Sequence, residues 1–68
     1  MMLTYLITYI WSDGDEDSMA VSDTKHLNED AIIERARVSI NLDLLLYLST
    51  NQVPDTTSYM ILTIEPEY

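Results

Sequence analysis

Leu3-Thr4-Tyr5-Leu6-Ile7-Thr8-Tyr9-Ile10-Trp11 decides the fold. Tyr, Thr, Ile and Trp are strand formers, and side chains alternate between the two faces of a strand. Leu3, Tyr5, Ile7, Tyr9 and Trp11 therefore share one face. Thr4, Leu6, Thr8 and Ile10 share the other, which is itself half apolar. A strand with two apolar faces is central in its sheet or covered on both sides. The apolar segment Met1 to Trp11 is about half the length of a membrane-spanning helix. It has no basic start and runs straight into an acidic segment, so it does not read as a signal peptide.

That segment, Ser12 to Ser18, reads as a turn. Gly14, the single glycine of the chain, follows Asp13, which is a hairpin signal. Met19-Ala20-Val21 then forms a short second strand. Asn28 is a good helix N-cap, and Glu29 and Asp30 place negative charge at the positive end of the helix dipole. Ile33, Ala36, Ile40, Leu44 and Tyr47/Leu48 recur at helical spacing, and Glu34 and Arg37 are placed to pair on the polar side. Val38, Ile40, Leu42, Leu44, Leu46 and Leu48 also alternate as in a strand. A helix to about residue 38 followed by a strand therefore competes with one helix over 29–48. The absence of Gly, Pro or a clear turn between the halves favours the single helix.

Residues 49–58 are rich in Ser, Thr, Asn and Asp and contain Pro54, a loop composition. Tyr59 to Glu65 is a last strand, with Met60, Leu62 and Ile64 on one face and Tyr59, Ile61, Thr63 and Glu65 on the other. Pro66 ends it.

The order strand, strand, helix, strand implies an α+β domain of ββαβ type. The helix crosses from the second strand to the third, which run parallel. The first strand lies between them, antiparallel to both, and the crossover is right-handed. One helix covers one face of such a sheet. The other face either stays open for self-association or a partner, or lies under the loops 12–18 and 49–58.

Composition limits what such a domain does. The 68 residues carry twelve Asp and Glu against three Lys and Arg, a formal charge of −9. Nucleic acid and anionic lipid need a basic surface, so neither is an expected partner. At 47 % hydrophobic the chain is too apolar for a disordered acidic tail. It has no Cys, so neither a disulfide nor a thiolate-held metal reinforces the core. The length fits one domain, residues 1–68, and a cytoplasmic location is the default expectation.

No motif points to catalysis. Asp13, Asp15 and Asp17 alternate like the start of a calcium loop, but Ser18 stands where the Gly is required and Thr24 where the bidentate Glu belongs. His26, the single histidine, has no partners at catalytic or metal-ligating spacing. One Gly cannot build a phosphate-cradling loop, and no nucleophile motif is present. No cofactor is expected, and the reading is a non-enzymatic binding protein. Tyr5, Tyr9 and Trp11 could stack bases on a sheet face, but the surrounding negative charge favours core or protein contact.

The acids fit two roles. One is plain solubility for a small apolar protein. The other is mimicry: carboxylates on a rigid surface occupy sites that Arg and Lys of a nucleic-acid-binding protein hold ready for phosphates. Ala20-Val21-Ser22-Asp23 leading into Asn28-Glu29-Asp30-Ala31-Ile32, with the overall charge, resembles small phage-encoded inhibitors of host nucleic-acid machinery. One such family, phage inhibitors of bacterial RNA polymerase, has a strand-strand-helix-strand fold with an acidic helix entry. Another, the anti-CRISPR proteins, includes many acidic domains of this length, some acting as DNA mimics. The resemblance covers most of the chain, as architecture and charge, and transfers no individual binding residue. It implies an inhibitor acting in the host cytoplasm on a basic host protein or ribonucleoprotein, such as a CRISPR effector. On the residue reading, Asp13, Asp15, Glu16, Asp17, Glu29, Asp30 and Glu34 would make the charged contacts, with Tyr5, Tyr9 or Trp11 as anchors. A self-associating assembly module and an antitoxin for a basic toxin are the competing readings.

Overall fold

The computed structural model describes residues 1–67. Its elements are β1 (Leu3–Trp11), β2 (Glu16–Asp23), α1 (Glu29–Ser49) and β3 (Tyr59–Pro66). The sheet order is β2-β1-β3, and β1 is antiparallel to both neighbours. The two-faced strand is central, as its pattern requires. Leu3, Tyr5, Ile7 and Tyr9 point under the helix and are buried, while Thr4, Leu6, Thr8 and Ile10 are half-buried on the open face.

The hairpin between β1 and β2 is tighter than Ser12 to Ser18. The Trp11 amide donates to the Asp15 carbonyl at 2.8 Å and the Gly14 amide to the Trp11 carbonyl at 2.9 Å. Gly14 has φ +98°, which a side chain would resist. The second strand is accordingly longer than Met19–Val21. Glu16, Asp17 and Ser18 are poor strand formers, but they pair with Ile10, Tyr9 and Thr8, and the ladder overrides their propensity.

Residues 29–49 form one helix, so the strand alternative for its second half is not realised. Asn28 caps it by accepting the Ala31 amide at 2.8 Å. Its end is also specified. Asn51 adopts φ +57°, its amide donates to the Leu48 carbonyl at 3.2 Å, and the Gln52 amide donates to the Tyr47 carbonyl at 2.9 Å. This is the left-handed closing turn that satisfies the last carbonyls. Ile32, Ala36 and Ile40 carry the buried face.

The third strand departs from simple alternation. A bulge opposite Thr8/Tyr9 leaves Leu62 as an extra residue, because Thr8 pairs with Thr63 and Tyr9 with Ile61. Tyr59 and Ile61 before the bulge, and Ile64 after it, therefore all pack against the core. Ile64 does not share a face with Met60, which is exposed.

One core draws on all four elements. Ile7 and Ile40 are fully buried at its centre, each stabilising the fold by about 1.5–3 kcal/mol. Two hydroxyls tie the helix and the segment leading into it to the sheet. The Tyr5 oxygen accepts the Leu27 amide at 3.2 Å, and the Tyr59 hydroxyl donates to Asn41 Oδ1 at 2.7 Å. The loop after α1 is fixed to the sheet's end, where the Ser12 amide donates to the Ser58 carbonyl at 2.8 Å and the Ser58 amide to Ser12 Oγ at 3.0 Å. Met60 and Leu62 on the open face stay exposed.

Candidate interaction surface

The topology separates the acidic residues into two groups. Leu3 pairs with Asp23 and Ile10 with Glu16, so the hairpin turn and the helix entry lie at opposite ends of β1. Eight residue steps at about 3.3 Å put them roughly 26 Å apart. Asp13, Asp15, Glu16 and Asp17 are exposed at the turn end. Glu29, Asp30 and Glu34 are exposed at the other. The two sets do not form one patch.

Their surroundings differ. Lys25, Arg35 and Arg37 comprise every Lys and Arg of the chain, and all three belong to the helix entry or the first half of the helix. Arg35 Nη2 lies 2.7 Å from Asp23 Oδ2. The Asp23 carboxyl also accepts the Thr24 and Lys25 amides at 2.6 and 3.2 Å. These contacts, the Lys25 amide foremost, hold its pKa below the ordinary value despite some desolvation. Arg37 lies over the Tyr59 ring, 5.8 Å from its centroid. The anticipated Glu34–Arg37 pair is thus replaced by Asp23–Arg35 and Arg37–Tyr59. The spacing of 34 and 37 on the helix could not show that the sheet offers both arginines closer partners.

Among the described residues no Lys or Arg pairs with the turn acids, although Arg37 reaches the aromatic base beneath them over Tyr59, and local bonds orient two of the acids. Asp13 Oδ1 accepts the Asp15 amide at 3.0 Å, and Asp17 Oδ1 accepts the Ser18 amide at 2.8 Å. The resulting negative potential reaches the core. The Tyr9 phenol is pushed up first by burial, and further by the charges of Asp17 and Asp43. Asp43, on the second half of α1, escapes a reading that looks for acidic runs, because it sits alone among leucines.

Beneath the turn lies an aromatic cluster. Tyr9 meets Trp11 edge-on with centroids 5.6 Å apart and Tyr59 at 6.2 Å. Trp11 meets Tyr59 at 5.7 Å and Tyr47 at 6.2 Å. Such edge-to-face contacts stiffen the platform that carries the acidic turn. They also correct the anchor assignment. Tyr5 is 4 % and Tyr9 3 % exposed, so both are core residues and cannot insert into a partner. Their face of β1 is the one the helix covers. Trp11 is half-buried and keeps an accessible edge. Tyr47 and Tyr59 were legible only through their pairing with Trp11.

A groove of about 300 Å³ runs between α1 and β3, lined by Ile33, Arg37, Met60, Ile61 and Ile64 with Glu29 on its rim. It exists because α1 lies closest to β2 and leaves the β3 side of the sheet less covered. Among the described residues no group of three or more His, Asp or Glu is placed to hold a metal ion. No helix among them is long and apolar enough to cross a membrane. Comparison with protein-family models, with curated proteins and with solved structures gives no match to this chain.

Proposed function

We propose that the protein is a non-enzymatic inhibitor that docks its acidic turn on the cationic groove of a nucleic-acid-binding protein or ribonucleoprotein in the cytoplasm. The resemblance to anti-CRISPR proteins makes a CRISPR effector the leading candidate class. One observation carries the reading. Asp13, Asp15, Glu16 and Asp17 lie within one exposed turn above an aromatic base and form no ion pair among the described residues, whereas Asp23 at the helix entry is paired with Arg35 and the remaining helix cation, Arg37, is held on the Tyr59 ring. A surface made acidic for solubility alone would have no reason to segregate its charges this way. The Asp13 and Asp17 carboxylates, already oriented by backbone amides, lose little freedom on docking, and an unpaired acidic turn speeds encounter with a basic partner. Trp11 at the base of the turn supplies an apolar edge within reach of the same contact.

The test is capture of a nucleic-acid-binding target, read at low and high salt and in competition with DNA or RNA. The reading requires binding that falls steeply with salt and is displaced by nucleic acid. Binding that ignores both, or that survives conversion of the four turn acids to their amides, contradicts it.

A further inference from the structure

The outer surface of α1 carries a second unpartnered feature. Val38, Leu42, Leu45 and Leu46 are 58, 62, 62 and 56 % exposed, the largest aliphatic stripe on the helix exterior. Their spacing of four, three and one places them on one side of the helix, opposite Ile32, Ala36 and Ile40. The second half of α1 is thus apolar on both sides, which also explains why its sequence reads equally well as a strand. The body that exposes it is elongated, at 40 × 20 × 16 Å. Its radius of gyration of 13.0 Å exceeds the roughly 11 Å of a compact chain this long.

We infer that this stripe is the contact between two copies of the chain, packed as an antiparallel helix pair with its two-fold axis near Leu42. Charge selects this occupant. From Val38 to Thr50 the sole charged residue is Asp43. Its carboxylate acts on the buried Tyr9 phenol, on the sheet side of the helix. Ser39, Asn41 and Ser49 beside the stripe are neutral. A cationic partner finds nothing to pair with here, whereas a second copy, itself at −9, can approach here without meeting like charge. The antiparallel direction follows from the same argument. It sets Val38 against Leu46 of the other copy, and Glu34 and Arg35 beside its Thr50 and Ser49. A parallel pair would bring the two acidic helix entries together and align the helix dipoles unfavourably. Four half-exposed aliphatic side chains with this rim suit an interface at the low end of the standard range, about 600 Å² per partner. The pair is a small one. It leaves both acidic turns free, and it stands independently of the proposed inhibitory function.

Sedimentation of the full chain across the micromolar range tests it. Dimerisation is expected, strengthening with salt as the repulsion between acidic copies is screened, whereas docking on a basic protein weakens. L42E and L45E should each weaken association at least tenfold while circular dichroism stays unchanged, since both positions are exposed. M60E on the open sheet face should leave association unaltered. Because the chain has no native Cys, L42C should cross-link two copies on oxidation, and M60C should not. A wild-type chain that remains monomeric overturns the inference. So does a dimer that M60E breaks and L42E spares, which would move the contact to the sheet.

Discussion

The two ends of the molecule are both acidic and yet differ in kind. At the helix entry, Asp23 is neutralised by Arg35, Lys25 stands two residues on, and the core beneath is mostly aliphatic, with Leu3, Val21 and Ile32 around the single ring of Tyr5. At the hairpin turn none of the acids forms an ion pair among the described residues, and the core beneath is aromatic, with Arg37 held over Tyr59. Net charge alone does not distinguish these ends. Ion pairing does: Asp23 holds Arg35 at one end, while the turn acids at the other hold no Lys or Arg among the described residues.

The largest effect comes from breaking the aromatic base. Tyr9→Ala should destabilise the fold by about 3–5 kcal/mol, because it removes a buried ring and its contacts with Trp11 and Tyr59. Thermal or urea unfolding measures this. A loss below that of Leu3→Ala at the opposite end would show that the turn's platform is not the stiffer one.

Neutralising the turn ranks next. Four exposed charge contacts at about 0.5 kcal/mol each amount to roughly 2 kcal/mol, or about 30-fold in affinity. The quadruple amide variant of Asp13, Asp15, Glu16 and Asp17 should lose about that much binding to its basic target and most of its salt dependence. The variant D30N/E34Q at the other end should lose far less.

Single bonds come lower. Asn28→Ala removes the cap of α1 and should cost about 1 kcal/mol. Tyr59→Phe deletes the bond to Asn41 and should cost about 0.5–1 kcal/mol. Both are read as shifts in melting temperature.

The finest distinction is in pH response. The folded pKa of Asp23 is lowered, so its contribution is complete above the ordinary value of 3.8 and is lost as pH falls through the folded value. Asp23→Asn should flatten the acid limb of the stability profile. Tyr9 behaves oppositely. Its folded pKa is raised above 10.0, so its contribution is complete below 10.0 and is lost as pH rises through the folded value. D17N/D43N should bring the Tyr9 titration, followed by phenolate absorbance, down toward 10.0. An unmoved titration would mean that the turn's potential does not reach the core.

Much of the fold was legible because β1 states its own position. Two apolar faces require neighbours on both edges and a cover on one side, and the order of elements then leaves one sheet arrangement. The helix was harder to read, since Leu42, Leu45 and Leu46 fill the side that a solvent-facing helix leaves polar. The length of β2 was hidden because pairing with β1, rather than propensity, recruits Glu16 to Ser18. The bulge at Leu62 was hidden because Met60, Leu62 and Ile64 alternate without interruption, and only the ladder shows one residue too many. The acids of the candidate surface could be named from sequence. Their division between two ends could not, because it depends on the register of β1 with β2. Tyr5 and Tyr9 were misassigned for a related reason: alternation gives the face they share with Trp11 but not which face the helix covers.

The central claim is that the turn end, rather than total charge, makes the contact. The most direct measurement compares target binding by the turn-neutralised variant and by a helix-end variant with the same number of acids removed, Glu29, Asp30, Glu34 and Glu67 (whose backbone amide donates to the Thr4 carbonyl) to their amides. The account predicts that the first loses capture and the second keeps most of it. Equal losses in both, or loss only in the second, would contradict it.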